Sequence, residues 1–504
     1  MSARLFPHRT QFYAPICSLL FITSLAAYWP IINTTLLSCD DYYLLGFDRI
    51  HLFGPGNLGS LTVIQWIFQA LHPLFLRPFV ISVWLVLSHF FATTPWPYHL
   101  LNIFLHAMNA SLIFWLIVRM KGKKTTAALA AFLFVLTPAA TGAVTWASAS
   151  FDLFSCFFIL LSICLYTIFL ENENKRFYLG SLAAAAFALL SKEMAYIVII
   201  VIPVMELLFG RVRPAALKDR GPFKRMALRS APFLGLFLAY LVLRYVSLGT
   251  VLTGGEIYFT ELDSNPLDSI TVFLAPFDNN YFSFGIIVAA YIYMTGLVTV
   301  GLALVERNWS KAPSIRKRLL IFFFSMFIIS LVPVGSRLIV GIKIQDLGLV
   351  RFLYMATAFF LATIAIALLE FRPKTKIWLL ISATALAALL PFYFWGLQIN
   401  NHGWEHASQI DGFILSEIQK NVPDPPRGAK VYILMQGGPA VTEVSWCRPM
   451  LEPAVRVSFD RYDLQVIQSS TNAYTGRMSQ TDDGYLFLYD DKSMRLVLQH
   501  NPRV

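Results

Sequence analysis

Residues 99–124 read HLLNIFLHAMNASLIFWLIVRMKGKK. Positions 99–118 contain no aspartate, glutamate, lysine or arginine, and about 20 such residues suffice to cross the hydrocarbon of a bilayer as a helix. The next six carry Arg119, Lys121, Lys123 and Lys124, the basic flank expected of a loop on the cytoplasmic side. Inside the apolar stretch His99, Asn102, His106 and Asn109 fall at i, i+3, i+7 and i+10, which places them on one helical stripe. Such a stripe either hydrogen-bonds neighbouring helices or borders a site. The two imidazoles lie about two turns apart, too far for routine joint ligation of one metal.

The pattern extends along the chain. Of 504 residues, 57% are hydrophobic, 15% aromatic and only 14% charged, with a mean hydropathy of +0.61. Soluble domains carry about 25% charged residues, and a larger core does not account for the deficit because single cores stop growing near about 250–300 residues. Lipid therefore forms part of the solvent. The net charge of +11 does not imply nucleic acid, because the basic residues sit in short clusters between apolar stretches. Cys17, Cys39, Cys156, Cys164 and Cys447 form no zinc spacing. Cys39 and Cys447 both fall on the expected outer side, where a disulfide between them is one conceivable pairing. The start, MSARLFPHR, lacks a small-residue cleavage site and reads as the flank of a retained first span.

About eleven spans are expected, near 13–36, 99–118, 125–143, 151–170, 177–190, 194–209, 229–248, 283–305, 319–335, 352–369 and 377–395. Between the first two lies a long outer segment, 37–98. Its shorter apolar stretches, 58–75 and 78–92, read as interfacial or re-entrant. With the N-terminus inside, the cytoplasmic segments hold 23 Lys and Arg and the outer loops ahead of residue 396 hold 6, so the expected topology is N-in, C-out. After residue 395 the composition turns soluble, and strand-like runs (431–435, 485–489 and 494–498) alternate with turn-rich pieces. The expected fold is an all-α polytopic membrane domain, 1–395, followed by a small extracytoplasmic α/β domain, 396–504.

Ionisable groups at membrane depth are costly and point to function. Asp40 and Asp41 follow the first span directly. Two adjacent carboxylates repel, so one can serve as a base, although an aspartate there also suits a helix N-cap. Asp152, the Lys192-Glu193 pair, Arg244, Arg337 and Arg351 all fall at or near outer helix ends. Arginine and lysine at such ends often only snorkel, yet the outer segments are poor in cations and a lipid phosphate requires them. A coupled transporter would bury its charges nearer the midplane, at helix breaks between related halves, and no matching pair of interrupted helices is evident.

These pieces resemble the GT-C superfamily of polyprenyl-phosphate-sugar-dependent transferases, and most of all the transmembrane TPR-containing O-mannosyltransferases and their bacterial relatives. The resemblance rests on Asp40-Asp41, Arg77-Pro78, Tyr98-His99-x-x-Asn102-x-x-x-His106-x-x-Asn109, Thr137-Pro138, Trp146 through Asp152, Leu190-Ser191-Lys192-Glu193 and Arg351-Phe-Leu-Tyr354. Two departures stand out. Ser150 occupies a position where the family usually has arginine, and residues 396–504 stand where a TPR array often follows.

The resemblance implies a hexosyltransferase in the cytoplasmic membrane of a bacterium, working at the periplasmic face on an undecaprenyl-type donor. Asp40 would act as base, with Asp41 assisting. Lys192 and Arg351 would bind the donor phosphate, with Arg77, Arg244 and Arg337 as further candidates. Glu193, Asp152, His99, His106, Asn102 and Tyr354 would position sugar or acceptor, and direct displacement would invert the anomeric centre. The acceptor is a hydroxyl of protein, lipid or polysaccharide. A divalent ion (Mg or Mn) on Asp40 and Asp41 is permitted and not required. The alternatives are a flippase or transporter of a lipid-linked glycan, and a membrane anchor for the C-terminal domain.

Overall fold

The computed structural model describes residues 13–36, 40–42, 44–45, 75–210, 220–251, 268–276, 283–335, 342, 347–373, 375–436, 451–461, 463–470, 484–490 and 495–500. Among the described residues the longer helices of the membrane part are α1 Ala14–Ala27, α2 Pro78–Phe91, α3 Trp96–Arg119, α4 Lys124–Leu136, α5 Ser150–Asn172, α6 Lys175–Ser191, α7 Val198–Phe209, α8 Arg220–Leu248, α9 Phe284–Asn308, α10 Ser314–Leu331, α11 Tyr354–Glu370 and α12 Lys376–Asn421. Among the described residues seven helices are long and apolar enough to cross a membrane, or eight if the bent pair Lys124–Leu136 and Pro138–Thr145 counts as one span. The stretch 58–75, expected to lie at the interface, falls outside the described residues except for Phe75. The stretch 78–92 forms α2, whose 14 residues are short of a full crossing.

Several expected spans are shorter or bent, for local reasons. The first, expected over 13–36, stops as a helix at Ala27, and a short 3-10 turn over Trp29–Ile31 with Pro30 follows. The fourth helix ends at Leu136 because Thr137 precedes Pro138 and takes an extended conformation (ψ 129°). The chain then bends by 58°. Between α6 and α7 the expected tight hairpin is a Lys192 cap and a 3-10 turn over Glu193–Ile197.

Lipid offers little hydrophobic drive between helices, so close approach and interhelical hydrogen bonds hold them. The α5–α6 pair illustrates both. Small residues Ala184, Ala185 and Ala188 are buried in α6. Ser162 Oγ donates to the Ser181 carbonyl at 2.9 Å, and Ser181 Oγ returns a bond to the Ser162 carbonyl at 2.8 Å. The centre of the bundle is α11. In an 18-residue apolar window of Gly348–Glu370, which includes α11, 83% of the window is buried, against 11% in that of Phe223–Leu248.

One end of the bundle carries most of the basic residues and is closed by ion pairs. Glu370, almost fully buried at the end of α11, accepts the Lys123 backbone N–H and the Thr126 hydroxyl, each at 2.8 Å. Lys123 Nζ stands 3.7 Å and Arg316 Nε 3.4 Å from its other oxygen. Glu206 is equally buried and accepts from Tyr166 at 2.7 Å and Arg229 at 3.2 Å. Arg119 pairs with Glu171 across α3 and α5.

At 46 residues α12 is about 69 Å long, more than twice the hydrocarbon thickness of about 30 Å. The domain boundary expected at 395/396 falls inside it, because a change from apolar to amphipathic composition does not break a helix. Beyond that point a polar stripe packs on the membrane part. Gln398 and Asn401 donate to the Ala27 carbonyl at 2.8 and 3.0 Å, and the Thr35 hydroxyl meets Ser408 Oγ at 2.7 Å. The sheet that follows has the order β2-β1-β3-β4, with β1 Lys430–Gln436 parallel to β2 Gln465–Ser470 and to β3 Gly484–Asp490. The last strand, β4 Arg495–His500, pairs antiparallel with β3, and helix α13 Leu451–Phe459 connects β1 to β2. The short strand β2 was not among the expected runs, since QVIQSS has little apolar content.

Candidate active site

The N-terminal ends of α5 and α11, the C-terminal cap of α6 and the helical residues 40–42 meet at the end of the bundle opposite the Glu370 pairs. The bends at Pro138 and at the 351–353 turn keep these segments from continuing as spans and bring their polar side chains inward. Lys192 forms an ion pair with Asp152, and both are buried. Arg351 lies between two carboxylates, its Nη2 4.0 Å from Asp40 and its Nε 4.0 Å from Asp152. Asp40 is the accessible member, with 49% of its side chain exposed. Arg77 donates two hydrogen bonds to Glu193, at 2.6 and 3.0 Å, the bidentate geometry that arginine and carboxylate favour. Buried Arg244 sits near the same group, next to Tyr240, which lies in the field of Arg77 and Glu193.

Aromatic faces hold two of the cations. The Arg351 guanidinium stands 3.9 Å above the Trp146 ring, and Lys192 Nζ is 4.6 Å from the Phe352 ring centre. Desolvated contacts of this kind are worth about 2 kcal/mol. They hold a cation without consuming its hydrogen-bond donors: Arg351 Nε is buried and has no hydrogen-bond partner. An anion entering between Asp40, Arg351 and Lys192 would find those donors.

The structure thus brings Asp40, Asp152, Lys192 and Arg351 into one group, with Arg77 and Glu193 beside it. Asp41 is different. It is buried and accepts the backbone N–H of Ser148 at 2.8 Å, so it fixes the Trp146–Ser148 turn. The polar stripe of α3 also serves packing. Asn102 donates to the carbonyls of Trp146 at 2.9 Å and Ala147 at 3.2 Å. His99 Nε2 lies 3.1 Å from the Thr34 carbonyl. His106 Nδ1 is 2.8 Å from the Tyr354 hydroxyl, which also accepts from Asn109 at 3.1 Å. These bonds lock the N-terminal end of α11, and with it Arg351. The side chains of His99, Asn102, His106 and Tyr354 are all buried, and their bonds serve the scaffold around the group.

Arg337 lies outside the described residues, as do Cys39 and Cys447. Ser150, where the resembling family has arginine, accepts the indole N–H of Trp84 at 2.9 Å. The cations beside Asp152 come instead from Lys192 and Arg351. As for a divalent ion on Asp40 and Asp41, no group of three or more potential ligands occurs among the described residues, and Asp41 is engaged by Ser148. Asp40 and Asp41 by themselves do not make a metal site. Sequence reasoning missed Trp404, whose ring centre lies 6.0 Å from that of Trp146. A tryptophan in a segment of soluble composition carries no signal of that pairing.

Comparison with known proteins gives the same picture at a coarser grain. Residues 72–239 match the family model described as dolichyl-phosphate-mannose-protein mannosyltransferase. No curated protein sequence matches the chain. Among solved structures, ArnT from Cupriavidus metallidurans bound to undecaprenyl phosphate aligns with a TM-score of 0.52 at 10% identity, covering 96% of this chain and 94% of that one. The apo state of the same ArnT gives 0.53 at 12% identity, with the same coverage of both chains. The Archaeoglobus fulgidus oligosaccharyltransferase in complex with Zn and sulfate gives 0.50 at 13%, over 89% of this chain and 62% of that one. At such identities the likeness to these structures is one of fold. The family model over residues 72–239 and the fold shared with ArnT and the oligosaccharyltransferase agree with the motifs along the chain.

Proposed function

We propose that the protein transfers a monosaccharide from a polyprenyl phosphate to a hydroxyl acceptor at the periplasmic face of a bacterial cytoplasmic membrane. The observation that carries this reading is the half-exposed Asp40 carboxylate 4.0 Å from an arginine held on an aromatic face. A base and an anion-binding donor set thus stand side by side. The bias of 23 to 6 in Lys and Arg supports the orientation, with this end of the bundle outward.

The step balances as a single displacement. The acceptor oxygen attacks the anomeric carbon, and the bond from that carbon to the phosphate oxygen breaks with its electron pair going to the phosphate. The hydroxyl proton passes to Asp40, and attack from the face opposite the leaving group inverts the centre. A phosphate monoester is already a good leaving group, so the site contributes mainly fixed positive charge where negative charge grows. Lys192 and Arg351 supply it. Asp152 holds both cations, Arg77 and Glu193 brace the neighbouring wall, and Asp41 and Asn102 fix the Trp146 turn beneath Arg351. Arg244 is a further phosphate contact on the Arg77 side.

The test is transfer by the purified full-length protein in lipid nanodiscs, across a panel of polyprenyl-phosphate sugars and membrane glycan acceptors. Wild-type protein is expected to release polyprenyl phosphate and form glycosylated product. An absence of product with every donor would overturn the reading and leave transport of a lipid-linked glycan as its successor.

A further inference from the structure

Arg351 is placed in an unusual way for a buried cation. Both of its carboxylate neighbours stand at 4.0 Å, beyond hydrogen-bond reach, so neither dictates the orientation of the guanidinium plane. Among the described residues its guanidinium rests on the Trp146 ring at 3.9 Å, with the Phe352 ring farther off at 5.3 Å. Where Arg351 points therefore depends on where Trp146 lies.

The Trp146 backbone is held by Asn102 through its carbonyl and by Asp41 through the amide of Ser148. Those bonds fix the turn and leave the indole plane undetermined. Among the described residues the aromatic ring paired with it is Trp404, at 6.0 Å between centroids and 38° between planes. Both indoles are buried, at 1% and 2% exposure, so each restricts the other. Trp404 belongs to the part of α12 beyond the membrane-spanning stretch, and the bonds of Asn401 to Ala27 and of Ser408 to Thr35 set the register of that segment. The same helix reaches the C-terminal domain, where Gln419 donates to the Ser458 carbonyl at 2.8 Å.

We infer that Trp404 is a positioning residue for Arg351. It acts through Trp146, and by this route the extramembrane half of α12 determines how well the site binds a lipid phosphate. The inference rests on the proposed function, since it takes Arg351 as a phosphate donor group.

The experiment is a double-mutant cycle on the full-length protein, reading the dissociation constant for undecaprenyl phosphate in nanodiscs. Trp404→Ala is expected to weaken binding about tenfold in the parent protein, in line with the loss of a desolvated cation–π geometry. In an R351K background, where the planar guanidinium is gone and the charge remains, the same change is expected to cost less than threefold. Trp404→Phe keeps a ring in the slot and is expected to recover most of the binding. If Trp404→Ala does not fold, Trp404→Phe carries the cycle, with a two- to threefold loss expected in the parent and none in R351K. A Trp404→Ala loss below threefold in the parent, or of threefold or more in R351K, overturns the positioning role while leaving the function intact. The positioning role falls equally if Trp404→Phe, used in its place, leaves parent binding unchanged or weakens R351K to the same extent. Wild-type protein that binds no undecaprenyl phosphate overturns the function itself, and the role of Trp404 with it.

Discussion

The two ends of the helical bundle use the same residue types in opposite ways. At the Lys/Arg-rich end, Glu370 and Glu206 are almost fully buried: Glu370 accepts two neutral donors with two cations at 3.4 and 3.7 Å, and Glu206 accepts one neutral and one cationic donor. At the other end Arg351 stands 4.0 Å from Asp40 and from Asp152, resting on an indole face, while Asp40 remains half exposed. A saturated carboxylate has no capacity left for a ligand. A cation held by aromatic faces keeps its donors, and a base in contact with water keeps its proton traffic. The first arrangement supports helices, and the second supports chemistry. Within the second end a further contrast appears between adjacent residues: Asp40 faces outward, while Asp41 is fixed on a backbone amide.

That contrast is open to direct attack. Its largest test is Asp40→Asn, which removes the base and keeps the shape. Transfer is expected to fall by about 10³-fold, within the range for general bases, with an unchanged thermal midpoint and unchanged binding of undecaprenyl phosphate. A stability loss comparable to that of a Glu370 variant would erase the distinction between the ends. Next comes Glu370→Ala, which leaves two cations and a threonine without their carboxylate. The expected cost is about 3 kcal/mol, at the low end for a broken buried pair because Lys123 and Arg316 can still reach water. Denaturant melts of the nanodisc-embedded protein read it, and the folded fraction is expected to transfer sugar at the wild-type rate.

Arg351→Lys sharpens the comparison further. Lysine keeps the charge and loses both the fork and the stacking plane, so donor affinity is expected to drop about tenfold with stability held within ~1 kcal/mol. The smallest effect is expected far from both ends. In the C-terminal domain Arg461 donates to both oxygens of Asp463, at 2.7 and 2.8 Å, and holds that carboxyl well below the usual range, helped by the Gly428 N–H. The pair is partly exposed, so Arg461→Ala is expected to cost less than about 1 kcal/mol. A carboxyl depressed in the folded state contributes above its unfolded value of about 3.9 and loses that contribution as pH falls below it. The stability of this domain is therefore expected to be flat in pH from 5 to 8 as far as this pair is concerned, with a drop only under acid conditions followed by circular dichroism.

Much was legible without coordinates, because lipid imposes simple rules. Apolar length, the clustering of Lys and Arg and the rarity of ionisable groups at helix ends were enough to indicate a polytopic protein and to single out Asp40, Asp41, Asp152, Lys192, Glu193, Arg244, Arg337 and Arg351, with Arg77 added by the family resemblance. Each of these is costly to place where it stands, and that cost is visible in one dimension. Span lengths were less readable: Pro138 bends one helix, and α12 runs on past its apolar half. Periodicity also grouped His99, Asn102, His106 and Asn109 correctly, since one helix carries them all.

Only the tertiary structure decided which polar groups are satisfied and which remain available. Asp40 and Asp41 are indistinguishable as neighbours in a sequence, yet one meets water and the other a backbone amide from residue 148. The partners that separate them come from distant parts of the chain, as do the Arg351–Trp146–Trp404 stack and the placing of Lys192 and Arg351 beside Asp152. Sequence records the cost of each polar side chain by itself, whereas satisfaction is a property of pairs, and the pairs exist only after the helices have packed.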